Sequence, residues 1–339
     1  MVYKKIYIRY VFPLELLYNM GMSKPIEPYK CAFSISNEIL VSAASIAFKL
    51  GRLSLTHEHR ADEDDFALAT KSTLALEGIE IKPSQMRGIN RGDDVPSAPL
   101  ANAVRRLYEK MSHIDPYDPA FIEQFEKAIW KDGVPHRMSR RVASFPYPIP
   151  MHAKVAPLMK GLYSFANNGK GKIHPLTLGC LFYFELLAIQ PYSEYTGLLA
   201  RYLLKAFIGT YSPNFYCLPL ERLMLVHKDE IKQAYAASVE RADTAPFVTC
   251  MMALIEEGVD ALLRRSVKKE PASSPLVQKM LDKMEPGRFY SATELCALLG
   301  LKSRLGLQKN YIRPGLEGRV LEMSNPVSPT DRMQRYRKK

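Results

Sequence analysis

Ile173–Phe207, IHPLTLGCLFYFELLAIQPYSEYTGLLARYLLKAF, is the stretch whose residue types and spacing bear most on chemistry. Its pattern predicts a helix, a polar loop from Gln190 to Thr196, and a second helix opening at Gly197. A helix that opens after a short loop presents unpaired backbone N–H groups and the positive end of its dipole, a ready site for an anion. Glu194 in the loop has the chemistry to hold a hard cation. Arg201, one turn into the helix, has the fork to meet a phosphate or carboxylate bidentately. Two readings stand at this level: a phosphate and metal corner, or a surface loop between two core helices.

The elements that would carry such a corner are helical. Apolar residues recur at helical spacing from Asn37 to Leu263, and period-two alternation is scarce. The predicted helices are Asn37–Leu50, Asp62–Glu77, Pro99–Met111, Pro119–Trp130, His152–Phe165, Pro175–Ala188, Gly197–Phe207, His227–Arg241 and Thr244–Arg265. Between Ile81 and Pro99 a Gly, Pro and polar-rich stretch predicts a long surface loop, in which Arg91-Gly92-Asp93 is a plain turn. Arg137–Pro150 is the best strand or hairpin candidate. SVKKEPASSP after Arg265 predicts an interdomain linker, giving boundaries of 1–98, 99–265, 266–274 and 275–339. In the last of these, a helix over Leu276–Met284 precedes Ser291–Leu299, where Ser291 and Glu294 form a capping box and Gly300 is the stop. Ser303 caps a third helix to about Arg313, stopped by Pro314 and Gly315, and Arg319–Met323 follows as a wing strand. That order predicts a winged helix-turn-helix.

Length and composition narrow the classes. The chain has 339 residues, 47% of them hydrophobic and 24% charged, enough for two packed domains without staples. Of the net charge of +12, most lies in the last segment, where Ser266–Lys339 holds 15 basic against 7 acidic residues. A polyanionic partner such as DNA is therefore expected of that segment. Lys302, Arg304, Lys309 and Arg313 lie on or beside its third helix and are the candidate DNA-binding residues. Winged helices also serve as protein-binding modules, and both partners stay open here. Cys31, Cys180, Cys217, Cys250 and Cys296 are far apart and odd in number, which predicts reduced structural thiols and a cytoplasmic protein. The N-terminal stretch has neither the form of a signal peptide nor that of a membrane anchor, and Met20 and Met22 raise the expectation that residues 1–21 extend upstream of the functional chain.

Gln190-Pro191-Tyr192-Ser193-Glu194-Tyr195-Thr196-Gly197-Leu198-Leu199-Ala200-Arg201 aligns without gaps to the signature H-P-F-x-(D/E)-G-N-G-R-x-x-R, and so resembles the Fic family with its Fido fold. Thr73-Leu74-Ala75-Leu76-Glu77-Gly78 is similar to that family's inhibitory motif, (S/T)-x-x-x-E-(G/N). Leu220–Leu263, with Tyr235, resembles the helices that close the Fic core, and the C-terminal segment resembles the winged helix appended to many members. The resemblance implies a mainly α fold with a short β-hairpin flap near Val142–Phe145, against which a protein target would pair. It also implies transfer of AMP from ATP to a protein hydroxyl. Carried over, Glu194 would hold magnesium, Gly197, Arg201 and Tyr235 would bind nucleotide, and Glu77 would inhibit by pairing with Arg201.

Departures from the signature shape the expected function. Gln190 stands where the family has its histidine, and an amide cannot take a proton near neutral pH, so general-base assistance worth ~10²–10⁴ in rate is absent. Tyr195 and Thr196 replace Gly and Asn, Leu198 replaces an arginine, and Thr196 is a candidate N-cap. The expectation is a degenerate Fic protein, impaired in AMP transfer, that regulates or senses nucleotide, with ATP and Mg²⁺ bound weakly or not at all. The alternative is an active protein adenylyltransferase. His174 opens the helix ahead of Pro175, the other histidines show no metal-ligand spacing, and Asp62–Asp65 form the acidic first turn of the helix leading to Glu77.

Overall fold

The computed structural model describes residues 29, 31–56, 61–130, 147, 149–269, 275–301, 303–318, 320–326, 328, 329, 331 and 333–339. The flap expected near Val142–Phe145, Lys302 and residues 1–28 lie outside the described residues. The chain divides into two compact units, Met1–Leu262 and Leu263–Lys339.

The main elements of the first unit are helices: α1 (Asn37–Thr56), α2 (Glu63–Leu76), α3 (Pro83–Asn90), α4 (Pro99–Glu109), α5 (Ala120–Ile129), α6 (His152–Gly169), α7 (Pro175–Ile189), α8 (Thr196–Gly209), α9 (Leu220–Val226), α10 (Lys228–Arg241) and the start of α11 (Ala245–Lys269). At its centre α7 and α8 pack as an antiparallel pair, both apolar almost all round. Phe182, Leu203, Leu204 and Phe207 are fully buried there. His174 caps α7, its Nδ1 accepting from the Leu176 N–H, and Pro175 fills the first helical position as expected. A shell of α2, α4, α5, α6 and α9 covers this pair, with α2 packed on both α4 and α9. Lys49 of α1 bridges Glu256 and Asp260 of α11 at 2.8 and 2.7 Å.

Two expectations need correction, and one helix needs its bounds from the structure. The stretch after Ile81 is not a long loop: Lys82 opens α3, Pro83 sits at its first position, and the Gln85 side chain accepts from the Lys82 N–H. A proline read from sequence as a loop breaker is here a helix starter. Helix α9 lies in the stretch that resembles closing helices, but periodicity did not delimit it, because Leu220–Val226 is too short to show a period. And α11 runs on to Lys269, through residues assigned to the linker, since Ser266–Lys269 includes nothing that breaks a helix.

The second unit holds α12 (Pro275–Lys283), β1 (Tyr290–Ser291), α13 (Ala292–Leu299), α14 (Arg304–Leu307), a π-turn (Gln308–Ile312), α15 (Arg313–Glu317), β2 (Leu321–Met323) and β3 (Arg335–Lys338). The strands form an antiparallel sheet in the order β1-β3-β2. Ser291 and Glu294 make the expected capping box, and the Ser303 hydroxyl caps the next helix on the Gly306 N–H. Pro314 and Gly315 do not stop the third helix as expected. The π-turn widens the ladder just before Pro314, which has no N–H to donate, and helix continues to Glu317. Strand β3 was also not foreseen, since Arg335–Lys338 is nearly all cationic and gains its place by pairing.

The core of this unit gathers Val277, Met280, Leu295, Leu307, Ile312 and Leu321. Gly315 belongs to it sterically: a Cβ there would lie 2.6 Å from Leu321 Cδ1 and 3.0 Å from its Cγ. Gly315→Ala must push buried Leu321 aside, and should lower the unfolding free energy of this unit by about 1–3 kcal/mol, read by urea unfolding of the full chain followed at a probe in residues 275–339.

Candidate functional site

The loop between α7 and α8 begins with Gln190 in the left-handed conformation, φ 47°, closing α7 through its N–H to Leu186 O at 3.1 Å. The Gln190 side chain is buried, so the position expected of a base holds an inward-facing amide. Tyr192 is buried too, and its hydroxyl donates to Glu126 Oε1 of α5 at 2.7 Å. Thr196 staples the loop: its hydroxyl accepts from the Tyr192 N–H and donates to the Tyr192 carbonyl, both at 3.3 Å. Thr196 is therefore not the N-cap. That place belongs to Tyr195, at φ 61°, a left-handed backbone that glycine adopts without strain and tyrosine does not.

Aromatic rings fill the outer side of the loop. The Trp130 ring lies 4.7 Å from that of Tyr192 and stacks on that of Tyr195 at 6.1 Å and 28°. Burial, then the Glu194 and Glu77 carboxylates, push the Tyr195 hydroxyl above its ordinary pKa, so it stays neutral. Glu194 and Ser193 face solvent. Among the described residues no three His, Cys, Asp or Glu side chains gather as a metal cluster. A cation at Glu194 would have one protein carboxylate and would need phosphate and water oxygens for the rest of its shell.

The inner side of the corner is ionic. Arg201 of α8 is 6% exposed and Glu77 16%, and Arg201 Nη2 donates to Glu77 Oε1 at 2.5 Å. The same guanidinium donates from Nε to Thr73 Oγ1 at 2.9 Å and from Nη2 to Thr73 O at 3.1 Å. Burial alone would lower the Arg201 pKa, but Glu77 and the ring hydroxyls of Tyr183 and Tyr108 outweigh it and hold the group charged. The defined positions of Thr73–Gly78 have physical reasons. Thr73 and Glu77, four residues apart, lie on one face of the end of α2 and grip one guanidinium. Gly78 then takes φ 79° and ends the helix in a Schellman motif, with Ile79 N–H on Leu74 O at 2.9 Å and Gly78 N–H on Ala75 O at 3.0 Å. The helix thus stops with Glu77 at its edge, facing α8.

Gly197 completes the contact. A Cβ there would stand 2.7 Å from Glu77 Oε1 and 2.9 Å from Arg201 Nη1. Only a bare Cα lets a carboxylate approach the first turn of α8 so closely, where its charge meets the positive end of the helix dipole. The corner therefore fits an anion, and the anion in it is the chain's own Glu77.

Glu77, Gly197 and Arg201 are thus in contact, while Gln190 and the exposed Glu194 lie on the loop that leads into α8. Tyr235 is in a buried aromatic cluster, its ring 4.5 Å from that of Phe184, 5.0 Å from Tyr147 and 5.9 Å from Phe247. Leu198 is buried, its apolar side chain standing where the signature has an arginine. Sequence reasoning missed Trp130, Glu126, and a second ion pair on α8: Lys205, four residues after Arg201, bonds to Glu221 Oε2 of α9 at 3.0 Å. The signal was a lone lysine inside RYLLKAFIG, an apolar helix.

In the second unit Arg304, Lys309 and Arg313 are exposed on α14, the π-turn and α15, together with Gln308 and Asn310. Arg304 also donates to Thr293 Oγ1. All five cysteines are free thiols, and no described helix is long and apolar enough to cross a membrane.

Residues 275–338 match the family model described as "Filamentation induced by cAMP protein Fic-like, C-terminal domain". Among solved structures, a Fic family protein from Desulfovibrio desulfuricans G20 is similar at 22% identity and a TM-score of 0.63, covering 92% of this chain and 98% of that one. A Fic domain containing signaling protein from Bacteroides thetaiotaomicron VPI-5482 is similar at 14% identity and a TM-score of 0.48, over 68% of this chain and 98% of its own. No curated protein sequence matches. The first of these structures gives the fold, and the family model gives the C-terminal domain.

The clamp sets an order of stability among variants. Arg201→Met leaves Glu77 and the Thr73 carbonyl facing carbon and should cost about 3–5 kcal/mol. Gly197→Ala displaces the carboxylate but keeps the charges, and should cost about 1–3 kcal/mol. Urea unfolding of the two variants beside the parent protein checks both the sizes and their order.

Proposed function

From a chain with the Fic fold and a Fic-like C-terminal domain, we propose a degenerate Fic protein that senses nucleotide and regulates, and that is impaired in AMP transfer. The observation that supports this reading is the Glu77 carboxylate on Arg201 and against Gly197; on this reading a phosphate oxygen competes for that place. A clamp of that kind keeps its meaning where an anion competes for the corner. Once Glu77 withdraws, the first turn of α8 and Arg201 would take phosphate oxygens, and Glu194 would give one carboxylate to Mg²⁺. ATP would supply the AMP group and magnesium would neutralise phosphate charge. The rest of the loop favours holding over turnover. Gln190 cannot accept a proton, Leu198 brings no charge, and the Tyr195 side chain occupies the turn where glycine would leave the backbone bare.

Calorimetric titration with ATP and Mg²⁺ of the parent protein and Glu77→Gly tests this. Binding that appears or tightens at least about ten-fold in the variant is expected, a gain of ~1.4 kcal/mol. No heat with either protein would end the nucleotide reading and leave the Fic core a scaffold. The rival, an active protein adenylyltransferase, predicts label on protein from α-labelled ATP that disappears in Glu194→Ala. On the present reading the Glu77→Gly protein stays unlabelled, and labelling rises in Glu77→Gly with Gln190→His.

A second reading has its own observation. The exposed side of the third helix joins Arg304, Lys309 and Arg313 with the amides of Gln308 and Asn310, the residue types that meet phosphates and base edges in a major groove. We therefore propose that the second unit is a winged helix that binds duplex DNA. Binding should weaken steeply with salt, and Lys309→Ala should lower the slope of log K against log[salt] by about 1. A shift insensitive to salt, or none, removes this reading.

A further inference from the structure

We propose that Lys205 and Glu221 are positioning residues for the Arg201–Glu77 clamp, holding α2 in register with α8 so that the carboxylate stays on the guanidinium. Helix α8 buries two cations on one face, Arg201 and Lys205, separated by four residues. Arg201 takes its partners from α2. Lys205, 2% exposed, takes its partners from α9 and the residues before it: Glu221 Oε2 at 3.0 Å and the Leu218 carbonyl at 2.9 Å. Glu221 is 1% exposed.

Helix α2 packs directly on α9, so the two ion pairs tie the same three helices together at successive turns of α8. Tyr108 of α4 stands between them. The Lys205 ammonium lies 5.3 Å from the centre of its ring, and its hydroxyl is within electrostatic reach of both Glu221 and Arg201. One face of α8 thus fixes α2 and α9 through charges and meets α4 through the Tyr108 ring.

Stability alone does not account for the inner pair. Apolar residues of the same volume often replace a buried ion pair without loss. In this cluster the Tyr108 hydroxyl lies near Glu221 and Thr73, yet neither it nor Glu221 Oε1 makes a hydrogen bond of full geometry. Such atoms cost free energy, and what they retain is geometry: directional contacts in a low dielectric allow few arrangements, whereas apolar contacts allow sliding. The arrangement allowed here is the one that brings Glu77 to Arg201.

The test replaces the inner pair in two ways, Glu221→Gln and the double variant Lys205→Met with Glu221→Leu, and reads α2. Hydrogen exchange of the α2 amides should quicken about ten-fold while α7 and α11 exchange as before. ATP and Mg²⁺ should bind about three-fold or more tighter to each variant, and this gain should vanish when Glu77→Gly is added. A part that only braces the fold would shift the melting temperature without any dependence on Glu77. Exchange that is unchanged in α2, or raised equally in all helices, overturns the proposal, as does a gain in affinity that persists with Glu77→Gly. The affinity arm rests on the nucleotide reading above. If no protein binds ATP that reading alone fails, and exchange decides this one. Should Glu221→Gln not fold, the double variant, which leaves no charge unpaired, carries the test.

Discussion

A guanidinium buried in the middle of an apolar helix dictates much of the architecture around it. Arg201 cannot stay charged there without compensation, because taking an ion out of water costs several kcal/mol that only close partners return. The partners come from a helix more than a hundred residues earlier in the chain. Thr73 offers both its hydroxyl and its carbonyl, and Glu77 adds the opposite charge. Meeting that demand fixes where α2 must end, why Gly78 follows with a left-handed backbone, and why position 197 has no side chain. An interaction that could be read as inhibitory is, in the first place, the condition for α8 to be buried.

The outer half of the same corner is governed by packing instead. Tyr192, Trp130 and Tyr195 form a run of rings across the loop, tied down by Glu126 and by the Thr196 hydroxyl. Rings in this place exclude water and stiffen the turn, at the cost of a tyrosine held at φ 61°. The inner half of the corner has the charge to hold an anion, and the outer half has been given over to apolar contact. The Gln190 amide between these halves cannot take up a proton near neutral pH.

The second unit follows different physics. Its core is small and apolar, and its positive charge is kept at the surface. Arg337 pairs with Glu322 across the β2–β3 hairpin and Lys338 reaches the Leu281 carbonyl, so part of the cationic charge is spent on holding the sheet. The cations of the third helix are exposed, which separates charge that stabilises from charge that faces outward.

Sequence alone determined what local forces decide. Helix periods, the caps at Ser291 and Ser303, the acidic start of α2, the proline start of α7 and the charge skew toward the C-terminus are short-range properties, and they read correctly because the residues that set them are neighbours in the chain. The loop from Gln190 to Arg201 and the Thr73–Gly78 stretch were legible as patterns for the same reason. Tertiary structure decided the rest. Helix α3 begins at a proline that propensity reads as a break, α9 is too short to declare itself, and β3 exists only through its pairing. Tyr195 rather than Thr196 takes the cap because the Thr196 hydroxyl is already spent on the Tyr192 backbone. The Lys205–Glu221 pair and the ring of Trp130 against the loop join residues whose spacing carries no signal, since burial creates their demand for partners and only the packed fold determines which partners are in reach.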